Sequence, residues 1–138
     1  MIPLSDSPVR VLIVEDDALV ALGVRLTLTE LGYYVVGIAA SELEALSITA
    51  LEEPHLALMD IRLRGANDGV QVARRLWLEQ GVRSIFLSAY ADEQTMERVA
   101  QAKPLGFVQK PYSAQQLRTA LDLACQRLQL KGSTDPSP

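Results

Sequence analysis

Reactive side chains in this sequence gather where apolar runs end. Glu15, Asp16 and Asp17 follow RVLIV, Asp60 follows LALM, Ser88 lies near the end of SIFLSA, and Lys110 and Pro111 follow GFVQ. A carboxylate that closes a buried-looking run is either a chance surface charge or a group held out for reaction. Acids packed together repel one another and need a cation to stay ionised at neutral pH. A hard divalent ion meets that need: Mg2+ takes one or two carboxylates, keeps several waters and accepts phosphate oxygens. Aspartate can act as a nucleophile toward phosphorus, forming an acyl phosphate. That transfer needs its phosphoryl oxygens neutralised by a metal and by a cation such as lysine. On this reading Asp60 is the nucleophile.

The pattern between these runs says how they would meet. Strand and helix signals alternate along the chain. The strands are Arg10 to Val14, Tyr33 to Ala39, Leu56 to Met59, Ser84 to Ala89 and Gly106 to Gln109, short and β-branched or continuously apolar, as strands covered on both faces are. Helical spacing puts Leu19, Leu22 and Leu26 on one face of the first helix, with Gly32 as its stop. Ser41 with Glu44, and Ser113 with Gln116, are capping boxes opening the second and last helices, and Pro54 ends the second. The third helix runs from Gly69 to Gln80, and the fourth from its cap Asp92 to Ala102. In the last, Leu117, Ala120, Leu121, Ala124 and Leu128 form the inner stripe, with Cys125 a small core residue on it. Strands separated by helices imply parallel pairing through right-handed crossovers. The expected fold is α/β, a five-stranded parallel sheet in a doubly wound, flavodoxin-like three-layer sandwich, (βα)5. Ligands in such sheets bind at the carboxyl ends of the strands, where strand order reverses, so the acids, the hydroxyl and the lysine should converge on one rim.

Composition narrows the function class. The chain has 138 residues, 49% apolar, with a net charge of −4 and one cysteine. That length suits one domain with its own core, and the charge argues against a nucleic-acid footprint. A single cysteine allows no intrachain disulfide, and no apolar run reaches membrane-spanning length. The expectation is a cytoplasmic protein without nucleic-acid or membrane partners. It has a mobile N-terminus over residues 1–8, one domain over 9–130 and a mobile Pro/Ser-rich tail over 131–138.

VLIVEDD, LALMD, FLSA and GFVQKP, in this order, resemble the signature blocks of the receiver (response-regulator) domain of two-component signalling. The resemblance implies a single-domain, phosphorylation-activated switch or phosphorelay carrier. By position, Asp60 resembles the phosphoacceptor, and Glu15 and Asp16 the acidic pair that holds Mg2+, with Asp16 the direct ligand and Glu15 acting through water. The backbone carbonyl of Arg62 would be a further ligand. Ser88 resembles the switch hydroxyl, Lys110 the phosphate-contacting lysine, Phe107 the aromatic switch residue, and Pro111 the proline whose preceding bond is often cis. The implied partners are a histidine kinase or histidine phosphotransfer protein, and a downstream protein on the face of the fourth helix, fifth strand and last helix; a homodimer is a separate expectation. The chain departs from the family in the loop after Asp60, where Gly69 comes one position later than usual, the familiar proline is absent, and Arg62 and Arg64 make the loop basic.

Plainer roles and other functions stand beside these. Asp17 is expected to cap the first helix, and His55, the lone histidine, to be structural. Trp77 reads as packing, and Tyr90 equally as a half-exposed loop residue or part of a binding surface. No enzymatic activity is expected beyond self-phosphotransfer and autodephosphorylation. A small aspartyl-phosphate phosphatase would place two aspartates one residue apart on the first strand, whereas here the acids are adjacent and the nucleophile lies on the third. Neither a P-loop nor G-x-G-x-x-G follows the first strand. The remaining alternative is a receiver excised from a larger hybrid kinase or regulator.

Overall fold

The computed structural model describes residues 7–63 and 68–130. Arg64, residues 1–6 and the tail lie outside that range, and with them most of the expectation of mobile ends. Elements alternate as β1 (Arg10–Val14), α1 (Ala18–Glu30), β2 (Tyr34–Ala39), α2 (Glu42–Glu52), β3 (Leu56–Asp60), α3 (Gly69–Gln80), β4 (Arg83–Ser88), α4 (Glu93–Ala100), β5 (Gly106–Gln109) and α5 (Ala114–Arg127). All strand pairs are parallel, in the order β2-β1-β3-β4-β5. This is the expected five-stranded, doubly wound sandwich.

Successive strand residues point to opposite faces, so the continuous apolar runs feed two cores. Val11, Ile13, Leu56, Leu58, Ile85 and Leu87 pack with α1 and α5. Leu12, Val14, Ala57, Met59 and Phe86 pack with α2, α3 and Val99 of α4. Both faces of the central strands are therefore dry, which explains the absence of polar alternation along them. Among the described residues, no helix is long and apolar enough to cross a membrane.

Two local expectations differ from the structure. The Leu19, Leu22 and Leu26 stripe of α1 does not face the core: these residues are 72%, 50% and 59% exposed, and α1 buries Ala21, Val24 and Leu28 instead. The helix is apolar on both sides, and periodicity alone cannot choose between two apolar stripes. At α2 the Ser41 hydroxyl does accept the Glu44 N–H, but the Glu44 carboxylate accepts the Ala40 N–H, one residue before the cap. The reciprocal box forms at α5, between Ser113 and Gln116. Before Pro54, α2 ends on Glu53 in the left-handed region, φ 49°, consistent with the exclusion of right-handed helical backbone ahead of proline. Inside α5, Leu117, Leu121, Ala124 and Cys125 are buried, and Ala120 and Leu128 pack partly against them.

Candidate functional site

The sheet register brings the reactive residues to one rim. Val14 pairs with Met59, so Glu15 and Asp60, the next residues, emerge side by side. Asp60 pairs with Leu87 and Ser88 with Gln109, which sets Ser88 one step beyond Asp60 and Lys110 one step beyond β5. The Lys110 N–H donates to the Ser88 carbonyl at 2.7 Å, and the Glu15 N–H to that of Ala39 at 2.9 Å, extending the ladders to the site. The Lys110–Pro111 peptide is cis, as the resemblance implied.

Carboxylate oxygens of Glu15, Asp16 and Asp60 all lie within 4.8 Å of one another. Lys110 Nζ sits 3.5 Å from Asp60 Oδ2 and 3.6 Å from Glu15 Oε1. Glu15 and Asp60 are each only 6% exposed and Ser88 1%. Burial pushes the Glu15 carboxyl up to about 7. The Asp17 N–H pulls it down, the neighbouring Asp60 pushes it up again, and Lys110 lowers it. Lys110 thus compensates Glu15 incompletely. An all-oxygen set of this kind, without histidine or sulfur, has the donor chemistry that fits a hard divalent cation rather than a softer metal.

The surrounding backbone holds each group in place. Asp60 Oδ1 accepts the Arg62 N–H at 3.2 Å, and Glu15 Oε2 accepts that of Asp17 at 3.1 Å. Asp17 caps α1 through the Leu19 and Val20 N–H groups, as expected. The Ser88 hydroxyl oxygen accepts the Tyr90 N–H at 3.0 Å. Tyr90 is half exposed, and the Arg62 guanidinium stacks 4.2 Å over its ring, a cation–π contact that ties the loop after β3 to the loop after β4. This places Tyr90 beside the site. Phe107 is partly buried against the core on the α3 and α4 side.

Sequence reasoning missed one determinant. Gly69 is pressed against the back of the Asp60 peptide: a Cβ there would stand 1.9 Å from the Asp60 carbonyl oxygen. Its N–H donates to the Ile61 carbonyl at 2.8 Å, so α3 starts directly behind Asp60. The signal was a glycine at a helix start, where glycine has no intrinsic advantage. His55 is remote from the rim, at the start of β3. Its Nδ1 accepts the Arg10 backbone N–H at 2.9 Å while its own backbone N–H donates to the Arg10 carbonyl at 2.9 Å, a structural role.

The model of the response regulator receiver domain matches residues 11–122. The chain belongs to that family. Among curated relatives, the transcriptional regulatory protein PdtaR of Mycobacterium tuberculosis is 32% identical over 120 residues, covering 87% of this chain and 58% of PdtaR. Sporulation initiation phosphotransferase F of Bacillus subtilis is 29% identical over 117 residues, covering 81% of this chain and 90% of that protein. The signal receiver domain of a modulated diguanylate cyclase from Desulfovibrio desulfuricans superposes with a TM-score of 0.82 at 35% identity, over 89% of this chain and 98% of that one. The chain thus spans a little over half of PdtaR and nearly all of the other two. The receiver fold accounts for all ten elements described above, β1 through α5.

Proposed function

We propose that this receiver is a phosphorylation-driven switch or relay carrier whose Asp60 accepts a phosphoryl group from a phosphohistidine on a histidine kinase or histidine phosphotransfer protein. The observation that carries this reading is the rim itself: a buried carboxylate flanked by two more acids, with a lysine within 3.5 Å. An Asp60 oxygen attacks phosphorus, the P–N bond to the donor imidazole breaks, and that nitrogen keeps the electron pair and takes up a proton. Lys110 shifts from carboxylate to phosphoryl oxygen as charge develops there. Bound Mg2+, held by Asp16, Asp60, the Arg62 carbonyl and Glu15 through water, would supply neutralisation of the phosphoryl oxygens. Onward transfer to a histidine is the same step reversed, and the 90% coverage of a sporulation phosphotransferase supports it.

The switch reading rests on Ser88 and on α4. A phosphoryl oxygen at Asp60 would draw the Ser88 hydroxyl and Lys110 toward it through charge-assisted hydrogen bonds, vacating space for Phe107. Helix α4 buries Val99 alone, so its attachment to the sheet is weak and its position easily biased. The output would be contact by a protein partner on the face of α4, β5 and α5, in the cytoplasm. The exposed leucines of α1 stand just past the Asp17 cap. They supply an apolar surface beside the site for a protein donor, which a small phosphodonor does not need.

Intact-mass analysis after acetyl phosphate and Mg2+ tests the assignment. One phosphoryl adduct is expected, lost on chelation and in Asp60→Asn; an adduct that persists in that variant would overturn it.

A further inference from the structure

Away from the phosphorylation rim, α3 and α4 border an open groove of about 360 Å³ whose lining includes Val70, Arg74, Arg75, Leu78, Arg98 and Gln101. Three arginines converge there in a chain whose net charge is −4. Two are engaged: Arg75 pairs with Glu79 at 2.6 Å and Glu42 at 3.2 Å, and Arg98 pairs with Asp68. Arg74, exposed, makes no ion pair with any described residue. Beside it Leu78 is 67% exposed, so one arginine outside the ion pairs and an apolar side chain share one face of α3. A phosphate backbone has no use for the leucine, and an uncharged helix none for Arg74.

We infer that this groove binds an acidic amphipathic helix of a partner protein, with one carboxylate at Arg74, a second displacing Asp68 from Arg98, and an apolar side chain on Leu78. Charge complementarity and the mixed lining favour that occupant. The two walls also differ in firmness. Helix α3 buries Gly69, Val70, Val72, Ala73 and Leu76, whereas α4 buries Val99 alone. The groove's width therefore follows the position of α4. This second part rests on the switch reading above: displacement of α4 after modification of Asp60 changes the affinity of the groove, making it a phosphorylation-sensitive contact.

The probe is a synthetic helical peptide with glutamates at i and i+4 and a leucine at i+3, titrated into the isotope-labelled full chain. Saturable NMR shifts are expected at the Arg74 and Arg98 side-chain N–H groups and the Val70 and Leu78 methyls. Arg74→Glu should weaken binding about tenfold, since it replaces an attraction with a repulsion, and raising the salt should weaken it severalfold. Affinity should change by at least about threefold with beryllofluoride. No shifts, equal binding by Arg74→Glu, or equal binding of a glutamine-substituted peptide would overturn the groove assignment. Tighter binding of a single-stranded oligonucleotide than of the peptide would overturn it in favour of a polyanion site. Peptide binding that beryllofluoride leaves unchanged, while intact mass shows normal phosphorylation of Asp60, would overturn the coupling alone. Failure to phosphorylate would instead count against the reading of the rim.

Discussion

Replacing Gly69 with alanine sets two effects against each other. Alanine is the better helix former by about 1 kcal/mol within a helix interior, and the backbone at Gly69 is not left-handed, so conformation does not forbid a side chain. Space does. The new Cβ would stand 1.9 Å from the Asp60 carbonyl oxygen, 2.8 Å from its carbon and 2.9 Å from the Ile61 Cα. All three atoms are backbone, two in the last residue of the fully buried β3 and one in the residue after it. Relief requires α3 and the end of β3 to separate by roughly an ångström, and overpacking of this sort costs about 1–3 kcal/mol. Sterics should win, leaving Gly69→Ala less stable by about 2 kcal/mol, a fall in Tm on the order of 5–10 °C. Because the displaced atoms belong to Asp60, phosphorylation by acetyl phosphate should slow as well. Gly23→Ala is the matched control: it lies inside α1 with nothing within 4 Å of the added carbon, and should be neutral or stabilising by up to about 1 kcal/mol. Urea titration of both variants, with acetyl phosphate kinetics followed by intact mass, gives the comparison. A Gly69→Ala protein as stable as Gly23→Ala would refute the packing argument.

Three further outcomes follow from the site and its surroundings. Leu22→Glu with Leu26→Glu should slow transfer from a histidine kinase about tenfold or more while leaving acetyl phosphate labelling unchanged; equal loss with both donors would remove α1 from donor recognition. Asp16→Ala should weaken Mg2+ binding more than Glu15→Ala, because a direct ligand contributes more than one acting through water; titration of each variant checks the order, and similar affinities would reject it. Burial, followed by the Arg10 charge, lowers the His55 pKa below its ordinary value near 6.5, so below that pH the unfolded chain binds more protons and stability falls. Glu15, raised from 4.5 to about 7, acts in the opposite direction between those values without metal, because there the folded state binds the extra proton. The His55 contribution is therefore read as the difference between wild type and His55→Gln in urea midpoints at pH 7.5 and 5.5: the substitution should shrink the loss on acidification, and an equal loss in both proteins would reject the His55 assignment.

How much was legible in the sequence depended on whether a signal was local or relational. The strand runs and the α5 cap depend on neighbours in sequence, so they could be read to within a residue or so. The convergence of Glu15, Asp16, Asp60, Ser88 and Lys110 was legible for a different reason. Parallel crossovers force every strand of such a sheet to finish on the same rim, so a list of strand-end residues is already a list of site residues. Helix α1 shows where that logic stops. Its leucines and its Ala21, Val24 and Leu28 face are both apolar at helical spacing, and the second set is the buried one. Hydrophobicity along the helix does not distinguish them. The same holds for Gly69, whose absent side chain matters only because the Asp60 carbonyl lies directly against it, and for the Arg62–Tyr90 stack, which joins two loops that no periodicity relates. Each is a contact between elements, invisible until they are packed. On the proposed function the exposed leucines acquire a meaning that the core reading had concealed: α1 keeps its bulkier apolar stripe in water beside Asp60, where a phosphodonor protein would cover it. Charging that stripe while leaving Ala21, Val24 and Leu28 intact should therefore separate recognition from stability.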